Sequence, residues 1–281
     1  MTDIKIRTLE TPSLGDRSYL VHDGEVAFVV DPQRDIDRVL DLAGAAGVRI
    51  THVVETHLHN DYVSGGRELA RLTGAEYLIA AADRVVFPRT PVEDGDTVAV
   101  SDRMRLRAVA TPGHTFHHLS FVLQKPGAGG WTPVGVFTGG SLLFGTTGRT
   151  DLLGQGHAHE LAHHQYASAR KLADLLPDGT QVWPTHGFGS FCSASQADAP
   201  ESTIGREREA NPVLRPFAEA GTLVGVGPKI AKPLGKLGLT RIKDLAYHLP
   251  ERFVQRRAVA DLDQAGEGEQ IVVALTPIEH R

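Results

Sequence analysis

Four histidines follow strand-like segments, and their spacing is suited to binding a metal ion. His57 and His59 come directly after the apolar residues 50–55 and are separated by one residue. Alternate side chains of an extended backbone share a face, so these two imidazoles can approach one ion from one side. His114 and His186 each follow a similar strand and turn. Three imidazoles with one open position form a catalytic zinc-type site, which can bring the pKa of bound water to about 7.

Strand and helix signals alternate around these histidines. A mostly apolar run over residues 25–30 ends shortly before Pro32, which lacks a donor for a strand ladder. Apolar residues recur at helical spacing over residues 35–46, and strand character returns at residues 50–55. Residues 103–110 alternate between apolar and charged side chains, as in a strand with one buried face. This order predicts an α/β layered fold.

The length and composition are those of an ordinary globular protein. A chain of 281 residues exceeds the size at which one hydrophobic core usually stops growing, so we expect one large domain and a smaller unit. No apolar run approaches the roughly 20 residues of a membrane helix, and the first residues lack the apolar core of a secretory signal. We therefore expect a cytoplasmic protein without membrane association.

Cysteine is used once. Cys192 stands alone, which excludes an internal disulfide framework and a cysteine-cluster zinc site. A metal site must then rest mainly on carboxylates and on the 14 histidines. For Cys192 itself, a buried inert thiol and a thiol that handles sulfur are both open.

Five stretches of the sequence match one known family in the family's order. They are residues 31–37 (DPQRDID), 56–66 (THLHNDYVSGG), 111–115 (TPGHT), 137–152 (FTGGSLLFGTTGRTDL) and 184–193 (PTHGFGSFCS). The chain resembles the metallo-β-lactamase superfamily, in particular its glyoxalase II-like thioester hydrolases, persulfide dioxygenases and their rhodanese-fused relatives. The resemblance implies an αββα sandwich, with two sheets packed face to face, helices outside, and a site at one edge.

The resemblance also assigns roles to the motif residues. It implies a first metal site made of His57, His59 and His114, and a second site to which Asp61 and His186 belong. Asp61 would act as a base or an additional ligand, and His186 would orient the nucleophile or the substrate.

Two positions depart from the family pattern. Tyr62 stands where many relatives have a second-site histidine, and Gly140 stands where they have a metal-bridging aspartate. Without that carboxylate two cations would face each other with little negative charge between them, so we expect one metal ion, zinc or iron. An iron facial triad would need the aspartate that Gly140 replaces, and Asp61 or a water is the open alternative. Tyr62 either donates a hydrogen bond to the substrate or packs beside the site.

Other polar residues near the motifs have two readings each. Arg149 and Asp151 match a stretch that lines the pocket in relatives, and they are either substrate contacts or a structural ion pair. The remaining histidines of the region are expected on the surface or on helices rather than as ligands: His117, His118, His157, His159, His163 and His164.

The C-terminal segment has a different character. A Gly-Val-Gly turn at Gly225 and Gly227, followed by Lys229 and Lys232, predicts a helix-hairpin-helix whose backbone amides can approach a phosphate. Residues 225–253 resemble the opening of RecG-type DNA helicases, and residues 268–280 resemble the first strand of their OB-like wedge. We therefore divide the chain into a metallo-β-lactamase-fold domain (1–215), a helix-hairpin-helix segment (216–257) and a partial OB-like strand (258–281).

Charge supports a DNA-binding alternative. Residues 229–257 contain eight basic and two acidic residues, a net charge of +6, whereas residues 1–228 carry −7. The chain has no Walker A loop, so it is not a motor by itself. A lone strand in residues 258–281 would leave its backbone groups unpaired, so either it docks elsewhere or the chain is a truncated fusion.

Three hypotheses follow. The first is a mononuclear metalloenzyme that acts on a glutathione thioester or a low-molecular-weight persulfide, a substrate class that rests on the resemblance. The second is a DNA-binding protein that uses residues 225–257 and has a degenerate first domain. The third, a nuclease of the same fold, is disfavoured because nucleases of this fold generally need two metals. A homodimer is an open alternative for the assembly.

Overall fold

Several strands of the chain bury side chains on both of their faces, the pattern of sheets that are covered on both sides. The structure is a computed structural model, and it describes residues 4–193, 200–215, 228–241, 257–259 and 271–273. The chain divides into two compact units, Met1–Arg215 and Pro216–Arg281.

The described residues form sixteen strands and five helices. The strands are β1 (Lys5–Thr11), β2 (Asp16–His22), β3 (Val26–Val30), β4 (Arg49–Val54), β5 (Glu76–Ala80), β6 (Thr90–Val92), β7 (Thr97–Ala99), β8 (Arg105–Ala110), β9 (Leu119–Gly127), β10 (Gly130–Gly139), β11 (Leu142–Leu143), β12 (Thr146–Thr147), β13 (Gln181–Pro184), β14 (Ser202–Thr203), β15 (Arg257–Val259) and β16 (Ile271–Val273). The helices are α1 (Asp37–Ala46), α2 (Gly66–Thr73), α3 (Gln155–Leu175), α4 (Ile204–Ala210) and α5 (Pro228–Lys236). None of these helices is both long enough and apolar enough to cross a bilayer.

Two six-stranded mixed sheets build the first unit. One has the order β1-β2-β3-β4-β5-β6, and the other has the order β14-β13-β10-β9-β8-β7. In the first sheet the strands from β3 to β6 are parallel, and in the second sheet only β10 and β13 are parallel. Parallel neighbours bring their carboxyl ends to the same edge, which is where the histidine motifs follow the strands.

The two sheets pack face to face around an apolar core. The ring of Phe137, from β10, lies 5.3 Å from that of Tyr19 and 5.7 Å from that of Phe28, measured between centroids. Tyr19 and Phe28 belong to β2 and β3 of the other sheet, so these rings join the two sheets. Aromatic pairs at this spacing add to the stabilisation from burial.

Helices cover the outer faces. Leu20 and Val29 point away from the core between the sheets and pack in a cluster with residues of α1 and α2. Val122, on the second sheet, packs in the same way in a cluster with Leu172 of α3 and Ile204 of α4. Since successive residues of a strand face opposite sides, one strand contributes side chains both to the core between the sheets and to a cluster under the helices. The predicted two-sheet α/β sandwich with outer helices is confirmed.

The predicted boundaries of the first helix are also close to those observed. α1 spans Asp37–Ala46, against the predicted residues 35–46, and buries Val39 and Ala43 on one face. Gly47 follows with φ 65°, ψ 32° and donates its backbone N–H to the last turn. This left-handed conformation favours glycine and ends the helix.

The second unit is described only in part. Gly225 and Gly227 lie outside the described residues; Lys229 lies in α5, and Lys232 is exposed on the same helix. Four features of this part of the chain therefore remain predictions. They are the helix-hairpin-helix, the boundary between segments 216–257 and 258–281, the resemblance to RecG-type helicases and the DNA partner. Within the described residues, β16 pairs in parallel with β15, so this strand has a partner.

The stability of the first unit should depend on the core between the sheets. Leu106 is fully buried there, so we expect Leu106→Ala to lower the free energy of unfolding by about 2–5 kcal/mol through lost burial and a residual cavity. Leu72 of α2 is 51% exposed, so Leu72→Ala is the matched control with a small effect. Urea unfolding followed by circular dichroism measures both, and equal losses would contradict this core assignment.

Candidate metal centre

The chemically active side chains meet at one edge of the sandwich. They follow strands of both sheets: Asp31 after β3, His57 and His59 after β4, His114 after β8, Gly140 after β10, and His186 after β13. Backbone hydrogen bonds tie these loops together. Leu119 N donates to Thr56 O at 2.8 Å, and Arg17 N donates to Thr185 O at 2.8 Å, each linking one sheet to the other.

Asp31 anchors two of these loops. Its side chain is fully buried and accepts hydrogen bonds from Thr56 N at 2.7 Å, from Thr56 Oγ1 at 2.7 Å and from Thr185 Oγ1. Burial acts to raise the pKa of Asp31, but the neighbouring His59 and these donors outweigh it and hold the pKa below its usual value. The backbone of Asp31 has φ 50°, a left-handed conformation that aspartate tolerates better than most residues. One carboxylate therefore fixes the positions of Thr56 and Thr185, which immediately precede His57 and His186.

The structure places the histidines in two sets that share His186. Ligand atoms of His57, His59 and His186 all lie within 4.8 Å of one another, and the same is true of His114, His186 and Cys192. Nε2 of His57 is 3.3 Å from Nε2 of His186. Two imidazole nitrogens bound to a tetrahedral zinc at about 2.0–2.1 Å are about 3.3 Å apart, so this spacing matches a shared ion. The predicted ligands His57 and His114 also lie side by side, with ring centroids 4.9 Å apart, and the ring of His186 lies 5.2–5.3 Å from both.

Most of these imidazoles are neutral. Burial lowers the pKa of His114 to about 3 and that of His186 to about 4, and it holds the pKa of His57 well below its ordinary value. A neutral imidazole keeps a lone pair free for a metal ion.

His59 differs from these three histidines because its imidazole is protonated. Its Nε2 lies 3.3 Å from Asp31 Oδ1 and 3.5 Å from Glu55 Oε2, and all three side chains are buried. Burial acts to lower the pKa of His59, but the two carboxylates outweigh it and raise the pKa to about 10. A metal ion that uses His59 must therefore displace a proton from it.

Unpartnered buried atoms test whether the centre fits a metal ion. Nε2 of His114 and both carboxylate oxygens of Asp61 are buried and make no hydrogen bond. Asp61 Oδ2 lies 3.5 Å from His186 Nδ1, and Asp61 Oδ1 lies 3.9 Å from His59 Nδ1. Buried polar atoms without partners are costly, and a cation bound by imidazole and carboxylate would satisfy them. The donor set therefore fits a divalent zinc or iron ion.

Three other predicted residues border the centre. Tyr62 stacks on His59 with ring centroids 4.3 Å apart, and its hydroxyl donates to the backbone carbonyl of Asp31 at 3.2 Å. Arg149 donates from Nε and Nη2 to the two carboxylate oxygens of Asp151 at 2.9 and 2.8 Å, which forms the ion pair of the structural reading. The backbone carbonyl of Arg149 also lies 2.8 Å from Nδ1 of His114 and fixes that ring.

Sequence reasoning did not single out several members of the site. Asp16 contacts Nδ1 of His186 at 2.9 Å, and Glu55 contacts His59; both carboxylates are buried. Glu55 could have been found as a charged residue at the end of an apolar strand, whereas nothing local marks Asp16. His118 was expected on the surface or on a helix, but it is buried beside β9 and its Nε2 accepts a hydrogen bond from Gly140 N at 3.1 Å.

Gly140 leaves room for the ring of His114. A Cβ atom at position 140 would lie 2.2 Å from Cδ2 and 2.7 Å from Nε2 of His114. A side chain at this position and the observed placement of His114 therefore exclude each other. Glycine, which has no Cβ atom, is thus compatible with the observed position of the His114 ring, and the aspartate of the family pattern is not.

Comparison with known proteins places these features in one family. The profile of the Metallo-beta-lactamase superfamily matches residues 16–186. The hydroxyacylglutathione hydrolase of Maricaulis maris (strain MCS10) is 30% identical over 246 residues, which cover 77% of this chain and 88% of that protein. The mitochondrial persulfide dioxygenase ETHE1 of Bos taurus is 28% identical over 255 residues, covering 88% of this chain and 87% of that protein.

A solved structure agrees with these sequence matches. The crystal structure of a metallo-beta-lactamase from Staphylococcus aureus subsp. aureus COL has a TM-score of 0.69 and 27% identity, and the match covers 96% of this chain and 85% of that one. The sequence homologues are enzymes, and members of the superfamily bind zinc or iron.

Metal content should depend most on His186, because this residue belongs to both ligand sets. We expect His186→Ala to lose nearly all bound metal, and His114→Ala, which disturbs one set, to lose less. His164 lies on the surface of α3, so His164→Ala is the matched control that keeps the parent's metal content. Elemental mass spectrometry of the purified proteins gives the ratio of metal to protein, and full retention in His186→Ala would contradict the shared role.

The close approach at Gly140 predicts a second effect. We expect Gly140→Ala to destabilise the protein by about 1–3 kcal/mol, because the added methyl group overlaps the His114 ring, and to weaken metal binding by moving that ring. A Cβ at Gly44 in α1 would meet nothing within 4 Å, so Gly44→Ala should be neutral or stabilising by up to about 1 kcal/mol. Thermal unfolding with and without added zinc measures both, and an unchanged Gly140→Ala would refute the overlap.

Proposed function

Because the chain belongs to the metallo-β-lactamase superfamily, we propose that it is a metal-dependent enzyme that hydrolyses a thioester of a small thiol. The observation that carries this proposal is the convergence of His57, His59 and His186 beside the carboxylate of Asp61, which has no hydrogen-bond partner. One ion is favoured over two because Gly140 supplies no bridging carboxylate.

The centre's own residues have distinct tasks in this reaction. His57, His59 and His186 would hold the ion, with His114 or Asp61 as a further ligand. When bound, the ion would supply Lewis acidity, which polarises a thioester carbonyl and lowers the pKa of water to about 7. Asp61 is placed to take the proton of the attacking water, since its buried oxygens are not engaged by other donors. Asp16 holds His186 through its contact with Nδ1 at 2.9 Å, which leaves Nε2 directed at the centre.

A cavity beside the centre offers space for the substrate. It has a volume of about 490 Å³, and its lining includes Leu14, Gln33, Arg34, Tyr62 and Val63. Tyr62 belongs both to this lining and to the stack on His59, so one side chain lies between the cavity and an ion-binding residue. The amide of Gln33 has a buried Nε2 without a partner, and Arg34 is exposed at the rim. Apolar walls with a few donors suit a small polar thiol.

Persulfide oxidation is the second candidate. The similarity to the bovine persulfide dioxygenase favours it, as does the thiol of Cys192 close to His114 and His186. The glycine at position 140 weighs against it, because the ring of His114 fills the space of the usual carboxylate ligand and an iron facial triad would have to take its carboxylate from Asp61. Thioester hydrolysis has no such requirement at this position.

Turnover of two substrates tests the proposal. Protein loaded with zinc or with iron is assayed with a hydroxyacyl thioester of glutathione, followed by release of free thiol, and with glutathione persulfide, followed by oxygen consumption. We expect thioester hydrolysis, and we expect Asp61→Asn to lower kcat by about 10²–10⁴-fold, the usual value of a general base. His164→Ala should match the parent.

The outcomes separate the candidates. Oxygen consumption with the persulfide and no release of thiol from the thioester would replace hydrolysis by the second candidate. No turnover of either substrate by protein with a full equivalent of metal would refute both. An Asp61→Asn variant that keeps its metal and its kcat would remove Asp61 from the role of base.

A further inference from the structure

A second group of histidines lies outside the metal centre, on the exposed face of α3. His159 and His163 are four residues apart on this helix, and both are exposed. Side chains at positions i and i+4 of a helix lie on the same face, one above the other. Their ring centroids are 4.6 Å apart, and their Nε2 atoms are 3.3 Å apart.

This separation is the one that a tetrahedral metal ion requires. Two imidazole nitrogens bound at about 2.0–2.1 Å with a tetrahedral angle lie about 3.3 Å apart. The pair of His57 and His186 in the centre has the same separation of 3.3 Å. On α3 a 21-residue helix keeps the two residues on one face, so binding has to order only their side-chain torsions.

The surroundings separate this pair from the metal centre. The opposite face of α3 is buried, with Leu161 in the core and Gln165 donating from Nε2 to the backbone carbonyls of Gly140 and Ser141. His159 and His163 therefore face away from the loops that build the centre.

The neighbouring residues of the pair are those of known helical zinc sites. Residues 159–163 read His-Glu-Leu-Ala-His, the His-Glu-x-x-His spacing that places two imidazoles on one helix face. The carboxylate of Glu160 lies 3.7 Å from Nε2 of His164, which is one helical turn further along the chain. Glu160 thus contacts His164 rather than the pair, and it adds a negative charge to the same stretch of the helix.

We propose that His159 and His163 form a second, surface metal site for Zn²⁺ or another late first-row divalent ion. Imidazole nitrogens select such ions over Mg²⁺ and Ca²⁺, which prefer oxygen ligands. The two histidines supply two coordination positions, and water completes the shell. The site goes beyond the proposed enzymatic function, since it shares no residue with the metal centre.

Titration of zinc into the protein tests this site. Tag-free protein, with its metal centre already loaded to one equivalent, is titrated with ZnCl₂ by isothermal calorimetry. We expect one additional equivalent to bind, and we expect His159→Ala and His163→Ala each to weaken this binding by about tenfold or more, because a single imidazole remains. His164→Ala, one residue further along the helix, removes an exposed imidazole but leaves His159 and His163 unchanged, so it should bind zinc as the parent does.

Further readouts keep the test decisive. Elemental mass spectrometry before the titration should give the same metal content for all four proteins, which separates this site from the centre. Circular dichroism should show the same helix content, since the substituted side chains are exposed. The proposal is overturned if the parent binds no additional zinc, if His159→Ala binds it as tightly as the parent, or if His164→Ala loses it equally. A hydrogen bond between two neutral imidazoles would then account for the 3.3 Å separation.

Discussion

The buried carboxylate of Asp31 is the interaction on which the rest of the site depends. It stands where β3 ends and accepts hydrogen bonds from Thr56, which follows β4, and from Thr185, which follows β13. Because β4 and β13 belong to different sheets, this single anion ties the two layers together at the edge where the histidines emerge. A buried charge is tolerated only when donors surround it, and here the donors are the residues that immediately precede His57 and His186.

The charge of the centre follows from the same arrangement. Asp31 and Glu55 keep His59 protonated by direct contact, whereas His114 and His186 are neutral because burial disfavours their charged forms. The protein therefore holds one cationic imidazole between carboxylates and several neutral imidazoles around a common point. A divalent ion that enters the centre would supply the positive charge that the protonated His59 now supplies. The carboxylate of Asp61, which has no hydrogen-bond partner, would then gain a partner in this ion.

The departures from the family pattern are connected to one another in space. Gly140 leaves the volume that the ring of His114 occupies, and Tyr62 fills the space beside His59 by stacking rather than by offering a ligand. Gly140 provides no carboxylate and Tyr62 provides no imidazole, so fewer ligands are available for a second ion.

The sequence by itself determined the layered fold and the members of the main motifs. Alternating apolar strands and helical spacing have a local physical cause, namely which faces must be buried, and α1 ends at Ala46 as predicted. Only the tertiary structure decided which histidines share a ligand set, that Asp16 supports His186, and that His118 is buried behind the centre. These relations join residues that are far apart in the chain, and they depend on how two sheets stack, which no local pattern encodes. The surface pair on α3 shows the converse case, since its spacing is local but its 3.3 Å separation depends on side-chain conformations.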